Sequence, residues 1–331
     1  MLAKTQSFGL SGLDAYPITI EVDIGRGLPA FSIVGLPDNA IRESKERVRS
    51  AIKNSGFEFP SARITVNLAP ADTKKAGPSF DLAIALGILA ATEQVPLAAA
   101  QRFAMLGELS LGGQIKPVPG ALPAALSAGP EQYEGLIVPK NNAAEAALAR
   151  TLKIFPVRNL NEAVLLLQSP EQHEPYQAKP ALSGPLPHDP DLDFQDVKGQ
   201  THVKRGLEIA SAGGHNVLLI GPPGSGKTML ARRFPGILPA MTREEALEVT
   251  RIQSVAGTKK SACGLIGERP FRSPHHTASN IALVGGGSDP RPGEVTLAHN
   301  GVLFLDELPE FNRNVLESLR KPMEDHCVTI A

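Results

Sequence analysis

Tryptophan is absent from this 331-residue chain and tyrosine occurs only three times. It therefore carries few of the aromatic faces on which single-stranded nucleic acid stacks, and no base-reading motif is visible. Cysteine is scarce too: Cys263 and Cys327 have no CxxC around them, which excludes a disulfide scaffold and points to a reducing compartment, the cytoplasm. No apolar run approaches the roughly 18 residues of a membrane span. Phe80 to Ala91 contains Asp81 and suits a buried helix, and Met1 to Gln6 lacks the apolar stretch of a signal peptide, so a soluble chain without a membrane partner is expected. An excess of charge is missing as well. The 33 Lys and Arg against 34 Asp and Glu give a net charge of −1, which excludes a hold on nucleic acid by bulk positive charge. What is there, 42% hydrophobic and 20% charged residues, is the balance of a globular chain whose length predicts about two domains.

Six of the 23 residues from Gln168 to Pro190 are proline. Proline fixes φ and removes donors, so an extended linker over 169–190 is expected between a domain at 1–168 and another at 191–331. In the first, Ile18 to Ile24 and Arg63 to Leu68 alternate apolar and polar as half-buried strands do. Asp38 caps a helix to about Ser55, with Ile41, Val48 and Ile52 on one face. Its outer face carries Arg42, Lys45, Arg47, Arg49 and Lys53 against Glu43 and Glu46, a set that fits surface pairing, as of Glu43 with Arg47, or contact with a phosphate backbone. An apolar helix (Phe80 to Ala91), strands near Met105 to Leu109 and Leu136 to Val138, and helices near Asn142 to Arg150 and Asn161 to Gln168 make this domain mixed α and β. In the second, a helix from Thr201 to Ala212 precedes Asn216 to Ile220, an apolar run of the kind that forms a parallel strand buried on both faces. Thr242 to Glu245 has capping-box spacing for a helix to Val255, and Gly264 to Pro292 is too long for a plain connection. Val302 to Leu305 is a second apolar strand, with a helix from Asn312 to Lys321 after it.

Gly221-Pro222-Pro223-Gly224-Ser225-Gly226-Lys227-Thr228 matches GxxxxGK[ST] between a predicted strand and a predicted helix. Glycines so placed let successive backbone N–H groups converge on phosphate oxygens, with Lys227 reaching the β- and γ-phosphates and the Thr228 hydroxyl ligating Mg²⁺. Asp306 and Glu307 stand at the C-terminal end of the second apolar strand, where ligands bind in open α/β sheets. Asp306 is expected to hold Mg²⁺ through its water shell, and Glu307 to orient and polarise the attacking water. Together the motifs predict hydrolysis of a nucleoside triphosphate, with Lys227 and Glu307 as the catalytic groups.

Asp193 to Gln200 (DFQDVKGQ) is similar to the opening segment of AAA+ ATPases, where the chain passes the adenine; the resemblance implies ATP, with Val197 and Gln200 near the base. RPFRSPHHTAS (Arg269 to Ser279) and PGEVTLAHNGVLFLDELPEF (Pro292 to Phe311) resemble the magnesium-chelatase branch of that superfamily. With FSIVGLPDNAIRESKERVRSAI (Phe31 to Ile52) and NLAPADTKKAGPSFDLAIALGILAA (Asn67 to Ala91), the chain from Gly9 onward resembles the YifB/ComM family. The fold this implies is α/β: an N-terminal α+β Lon-protease-like (ribosomal protein S5 domain 2-like) domain, then a P-loop AAA+ domain. The activity it implies is that of a hexameric motor on DNA, driven by ATP and Mg²⁺ and linked to branch migration in natural transformation. An AAA+ domain continues beyond its Asp-Glu strand with two more strands, an arginine finger and a helical lid. By that resemblance this chain is expected to be a fragment, truncated after the helix that follows the strand, with little ATPase activity alone.

Two further clusters invite chemistry. Lys75-Ala76-Gly77-Pro78-Ser79 is similar to the nucleophile segment of Lon-type Ser/Lys proteases, and Gly107 to Leu111 to their next strand. A serine nucleophile needs a base within hydrogen-bond reach. The stretch that matches the lysine-bearing segment, Pro117 to Pro123, offers Leu122 or its neighbours instead, and Lys116 is displaced by about six positions. Ser79 therefore reads as a helix-start residue in a Lon-like fold without the dyad. His275 and His276, with Cys263, His299, His326 and Cys327, lack CxxC or HxxxH spacing, which favours loop residues near a subunit interface or substrate channel over a zinc site. A chelatase-type ATPase that drives metal insertion through partner proteins has the same ATPase residues and is the alternative to a DNA motor; the Lon-like N-terminal domain favours the motor.

Overall fold

The computed structural model describes residues 1–177, 193–257, 264–287, 291–325 and 327–328. The chain divides into an N-terminal unit, ending near residue 179, and a C-terminal unit over 180–256 and 265–331. Among the described residues no helix is long and apolar enough to cross a membrane.

The N-terminal unit opens on a hairpin, β1 (Leu2–Ser11) and β2 (Asp14–Gly25), then β3 (Ala30–Val34), α1 (Asn39–Asn54), β4 (Arg63–Ala69), α2 (Asp81–Ala91) and α3 (Leu97–Arg102). It continues with β5 (Phe103–Met105), a small hairpin of β6 (Glu108–Leu109) and β7 (Ile115–Lys116), α4 (Ala121–Ser127), β8 (Gly135–Pro139), α5 (Ala143–Ala146), β9 (Ile154–Val157) and α6 (Leu160–Gln168). Seven strands form one mixed sheet in the order β3-β4-β2-β1-β5-β8-β9. The β1-β2 and β2-β4 pairs are antiparallel and the other neighbours parallel. In β8, Ile137 joins one core while Leu136 and Val138 join the other, and β5 and β9 split in the same way. Strands covered on both faces read as continuous apolar runs, which is why 136–138 shows no alternation. Helices α1, α2, α3 and α6 fill the first core, α4 and α5 the second.

Asp38 caps α1 as its spacing predicts: Oδ1 accepts the Ile41 N–H at 2.8 Å, and Oδ2 accepts the Gly77 N–H at 2.9 Å, tying the cap to the turn before α2. Every residue of α2 is buried, Asp81 included. Gly87 permits the close approach to the sheet, since a Cβ there would stand 2.8 Å from the Val22 side chain. The structure corrects the surface pairing expected of Arg47. Its guanidinium turns inward and grips Asp81 bidentately at 2.7 and 3.1 Å, while the Leu109 N–H donates to the same carboxylate at 3.2 Å. Burial pushes the Asp81 carboxyl up to about 6 against the opposing pull of Arg47, and the bond to Asp81 holds Arg47 above its usual range. The unit also runs past the expected linker boundary. Pro170–Gln172 form a 3₁₀ turn and the Tyr176 N–H donates to the Ile154 carbonyl at 2.7 Å; the remainder of the expected linker, from residue 178, lies outside the described residues.

The C-terminal unit comprises α7 (Thr201–Gly213), α8 (Lys227–Arg233), α9 (Arg243–Ala256), β10 (Phe271–Arg272), α10 (Asn280–Val284), a hairpin of β11 (Gly285–Gly286) and β12 (Arg291–Pro292), α11 (Glu294–Leu297), β13 (Val302–Leu303), α12 (Arg313–Ser318) and α13 (Arg320–Asp325). The capping box is formed: the Glu245 N–H donates to Thr242 Oγ1 at 3.2 Å and the Thr242 N–H to Glu245 Oε2 at 2.9 Å. β10 and β13 pair in parallel. The expected strand at Val217 to Ile220 is not one. Val217, Leu218 and Ile220 are 44%, 69% and 87% exposed, and among the described residues no strand pairs with them. A strand buried on both faces exists only through the ladders at its sides, and the described residues supply neither.

Candidate nucleotide site

The loop Gly221 to Thr228 leads into α8, with Gly224 (φ 76°) and Gly226 (φ 88°) in the left-handed region that glycine adopts without strain. Leu230 of α8 is buried against Val197 and Leu207, so the start of that helix is fixed to α7 and to the 193–200 segment. Polar contacts lace the same segment. Gln200 Nε2 donates to the Ser225 carbonyl at 3.2 Å, Arg233 Nε to the Asp193 carbonyl at 2.9 Å, and the Lys204 amine to the Val197 carbonyl. Val197 and Gln200 are thus held beside the loop. Gly221, Pro222, Pro223 and Gly224 are exposed, Ser225 and Gly226 half-buried, and the Lys227 amine donates to the Gly221 and Pro222 carbonyls at 3.0 Å each.

Two strongly anchored arginines steady the strand that faces this loop. Arg269 bonds the Asn300 carbonyl at 2.7 Å and Glu245 at 3.1 Å. Arg272 makes a bidentate pair with Glu294 at 2.5 and 2.7 Å, a bond that raises the guanidinium further above its usual range. Leu303 and Leu305 pack on a cluster of Leu283, Phe311, Val315 and Leu319, which presents the next residues to the loop. There Thr228 Oγ1 donates to Asp306 Oδ2 at 2.8 Å, closing a gap of 78 residues in sequence, and the Glu307 N–H donates to Asp306 Oδ1 at 3.1 Å. A hydroxyl beside a carboxylate is the hard-oxygen pair that Mg²⁺ takes. An amine, a run of loop N–H groups and this oxygen pair, all within one loop and one strand end, fit a magnesium-bound polyphosphate. The Glu307 carboxylate, 69% exposed, stands 3.7 Å from His276 Nδ1. No sequence pattern signals that contact, which follows from the parallel pairing of β10 with β13, or the lacing by Lys204 and Arg233.

Of the histidines and cysteines that invite a zinc reading, His299 bonds Glu248 at 2.9 Å and His275 Nδ1 lies 2.9 Å from Thr277 Oγ1. Cys327 is exposed; Cys263 and His326 lie outside the described residues. In the N-terminal unit, Ser79 sits in the 3₁₀ turn Pro78–Phe80 before α2. Leu122 is fully buried, and Lys116 pairs with Glu108 at 3.4 Å. Lys75 is buried with its amine on the Pro70 carbonyl, and desolvation lowers its pKa.

Comparison with known proteins agrees with both units. The family described as magnesium chelatase, subunit ChlI, matches residues 193–331, and one described as subunit ChlI of Mg-chelatase matches 20–142. YifB of Salmonella typhimurium (strain LT2) is 49% identical over 330 residues, 98% of this chain and 63% of that protein. The competence protein ComM of Haemophilus influenzae (strain Rd) is 46% identical over 335 residues, 100% of this chain and 65% of that protein. The chain therefore spans a little under two thirds of the length of these relatives. A Lon protease of Rhizobium meliloti is 26% identical over 198 residues, 55% of this chain and 23% of that protein, consistent with the Lon-like and AAA+ fold classes. The chain belongs to the YifB/ComM family of magnesium-chelatase-like AAA+ proteins.

Proposed function

We propose that the full protein is an ATP-hydrolysing motor that remodels DNA in the cytoplasm as a ring of identical subunits, with 191–331 carrying the nucleotide and 1–168 guiding the substrate. The observation that carries the nucleotide reading is the 2.8 Å hydrogen bond from Thr228 to Asp306. Thr228 and Asp306 are the residues that would hold Mg²⁺. Lys227 exchanges its two loop carbonyls for phosphate oxygens, the loop N–H groups from Gly221 to Gly226 take the remaining phosphate charge, and Val197 with Gln200 borders the base. Bound there, Mg²⁺ supplies charge neutralisation for phosphoryl transfer. Glu307 orients the attacking water and draws on its proton.

For DNA as the substrate, the support is the family resemblance together with the name of the Haemophilus relative, a competence protein. The ChlI descriptions matched by both units favour a second reading, a chelatase-type ATPase that acts through partner proteins. ATPase assays of the full-length protein separate the two. Stimulation by branched DNA supports the motor, and stimulation only by a chelatase partner supports the other. Glu307→Gln is expected to bind ATP with turnover reduced about 10²- to 10⁴-fold, and Lys227→Ala to lose both. A complete protein that releases no heat with ATP in a calorimeter overturns the nucleotide reading.

A further inference from the structure

With Arg47 turned in to Asp81, four cations remain on the outer side of α1: Arg42, Lys45, Arg49 and Lys53. They follow one another at intervals of three, four and four residues, the spacing that stacks side chains along one face of a helix. At about 1.5 Å of rise per residue the stripe is about 16 Å long. Arg42, Arg49 and Lys53 are exposed and Lys45 is half-buried. The acids of the helix do not neutralise them. Glu46 stands four residues after Arg42 and three before Arg49, yet among the described residues no ion pair joins it or Glu43 to any of the four. Glu43 acts on Arg47 instead, which its charge helps to hold above the usual range. Arg49 is braced: its guanidinium carbon lies 5.7 Å from the centre of the Phe59 ring, and Phe59 meets Phe31 of β3 at 6.0 Å. A cation already held over an aromatic face loses less freedom when an anion arrives.

Three kinds of partner answer to such a stripe. A membrane surface or an acidic protein takes apolar side chains along with the charge, and none of the exposed large apolar residues lies on α1. A nucleic-acid backbone asks only for cations spaced along a line. Measured along the duplex axis, the length of the stripe matches about five phosphates of one strand. We propose that Arg42, Lys45, Arg49 and Lys53 form a contact for the backbone of duplex DNA, through which the N-terminal unit holds the substrate without reading its sequence. The proposal rests on the reading of the full protein as a motor on DNA and gives that substrate a place on 1–168. A net charge of −1 does not oppose it, because at cellular salt a phosphate feels charges only within about 8–10 Å.

The test is fluorescence anisotropy of a labelled duplex with the full-length protein across a salt series, with labelled polyglutamate as a second probe. Arg42→Gln, Lys45→Gln and Lys53→Gln are combined, and Arg49 is kept because it packs on Phe59. Expected are a slope of log affinity against log salt shallower by about 2 to 3 and binding about 10²- to 10³-fold weaker at about 0.1 M salt. Lys140→Gln, Arg150→Gln and Lys153→Gln together remove the same charge near β8 and β9, at the far edge of the sheet from β3, and should keep the wild-type slope. Glu43→Gln with Glu46→Gln strips the negative charge beside the stripe and should tighten binding, a change that misfolding cannot produce. A stripe variant with the wild-type slope, equal losses in the two triple variants, or loss of polyglutamate binding with DNA binding kept, overturns the proposal and leaves the DNA motor standing. Wild-type protein that neither binds the duplex nor hydrolyses ATP faster in its presence removes both.

Discussion

Replacing Arg47 by leucine would leave a carboxylate stranded in the core of the N-terminal unit. Asp81 has no exposed surface, and its oxygens are met by Arg47 at 2.7 and 3.1 Å and by the Leu109 N–H at 3.2 Å. Removing one partner of a buried pair costs about 3–5 kcal/mol. The pH dependence follows from a carboxyl raised from 3.8 to about 6 by burial. The native state binds this proton more tightly than the unfolded chain, so the stabilisation it brings is complete below about pH 4 and fades as pH rises through about 6. Without Arg47 the carboxyl rises further. The penalty of Arg47→Leu is therefore largest near about pH 7.5 and shrinks near about pH 5, where Asp81 is mostly protonated in both proteins. With no tryptophan in the chain and two units to keep apart, hydrogen exchange of the α2 amides is the suitable assay, because it reports the opening of this core alone. Exchange in Arg47→Leu should be faster by about 10²- to 10⁴-fold near pH 7.5, from roughly 1.4 kcal/mol per factor of ten. Arg47→Leu with Asp81→Leu should return most of the protection. Equal protection of wild type and Arg47→Leu at the higher pH, or a gap that widens at the lower, refutes this account of the pair.

Gly87→Ala should lower the stability of the same unit by about 1–3 kcal/mol, read as a shift in urea midpoint for loss of helix signal, because its methyl would meet Val22 at 2.8 Å. Thr228→Val removes the hydroxyl that bonds Asp306 and leaves the loop backbone in place. ATP binding measured with and without a chelator should then lose its dependence on Mg²⁺, and a variant whose affinity still climbs with Mg²⁺ would exclude Thr228 as a ligand.

The parts legible in the sequence are those where local chemistry and tertiary demand coincide. Asp38 caps α1 and Thr242 with Glu245 caps α9 through bonds made within three residues, and α2 is apolar because it is enclosed. The pairing of Thr228 with Asp306 was approachable because each stands where a glycine-rich turn or an apolar strand ends. β1 was not legible. Its inward residues include Ala3, Thr5 and Ser7, two of them polar, and their hydroxyls find the Ala83 and Met105 carbonyls at 3.0 and 2.8 Å. Inward polarity of that kind erases the alternation that marks a strand. β9 was hidden by Pro156, tolerated because β9 is the edge of the sheet. Arg47 misled for a related reason: on a helix wheel it belongs to the charged face, and only the buried Asp81 on another helix turns it inward. Val217 to Ile220 misled in the opposite direction, since apolar composition describes what a segment needs and not whether neighbours are there to meet the need.

The enclosure of α2 limits how the N-terminal half can acquire or change partners. Every position from Asp81 to Ala91 is buried among the sheet, α1, α3 and the small hairpin, so a substitution there is filtered by fit before any role in recognition can be selected. A scan of all single substitutions would show an eleven-residue block intolerant of both larger and more polar side chains, in contrast to the 3.6-residue rhythm of tolerance that α1, with its solvent face, would display. Whatever this half of the molecule meets, it must meet through surfaces that can drift, and α2 is the fixed frame against which they do so.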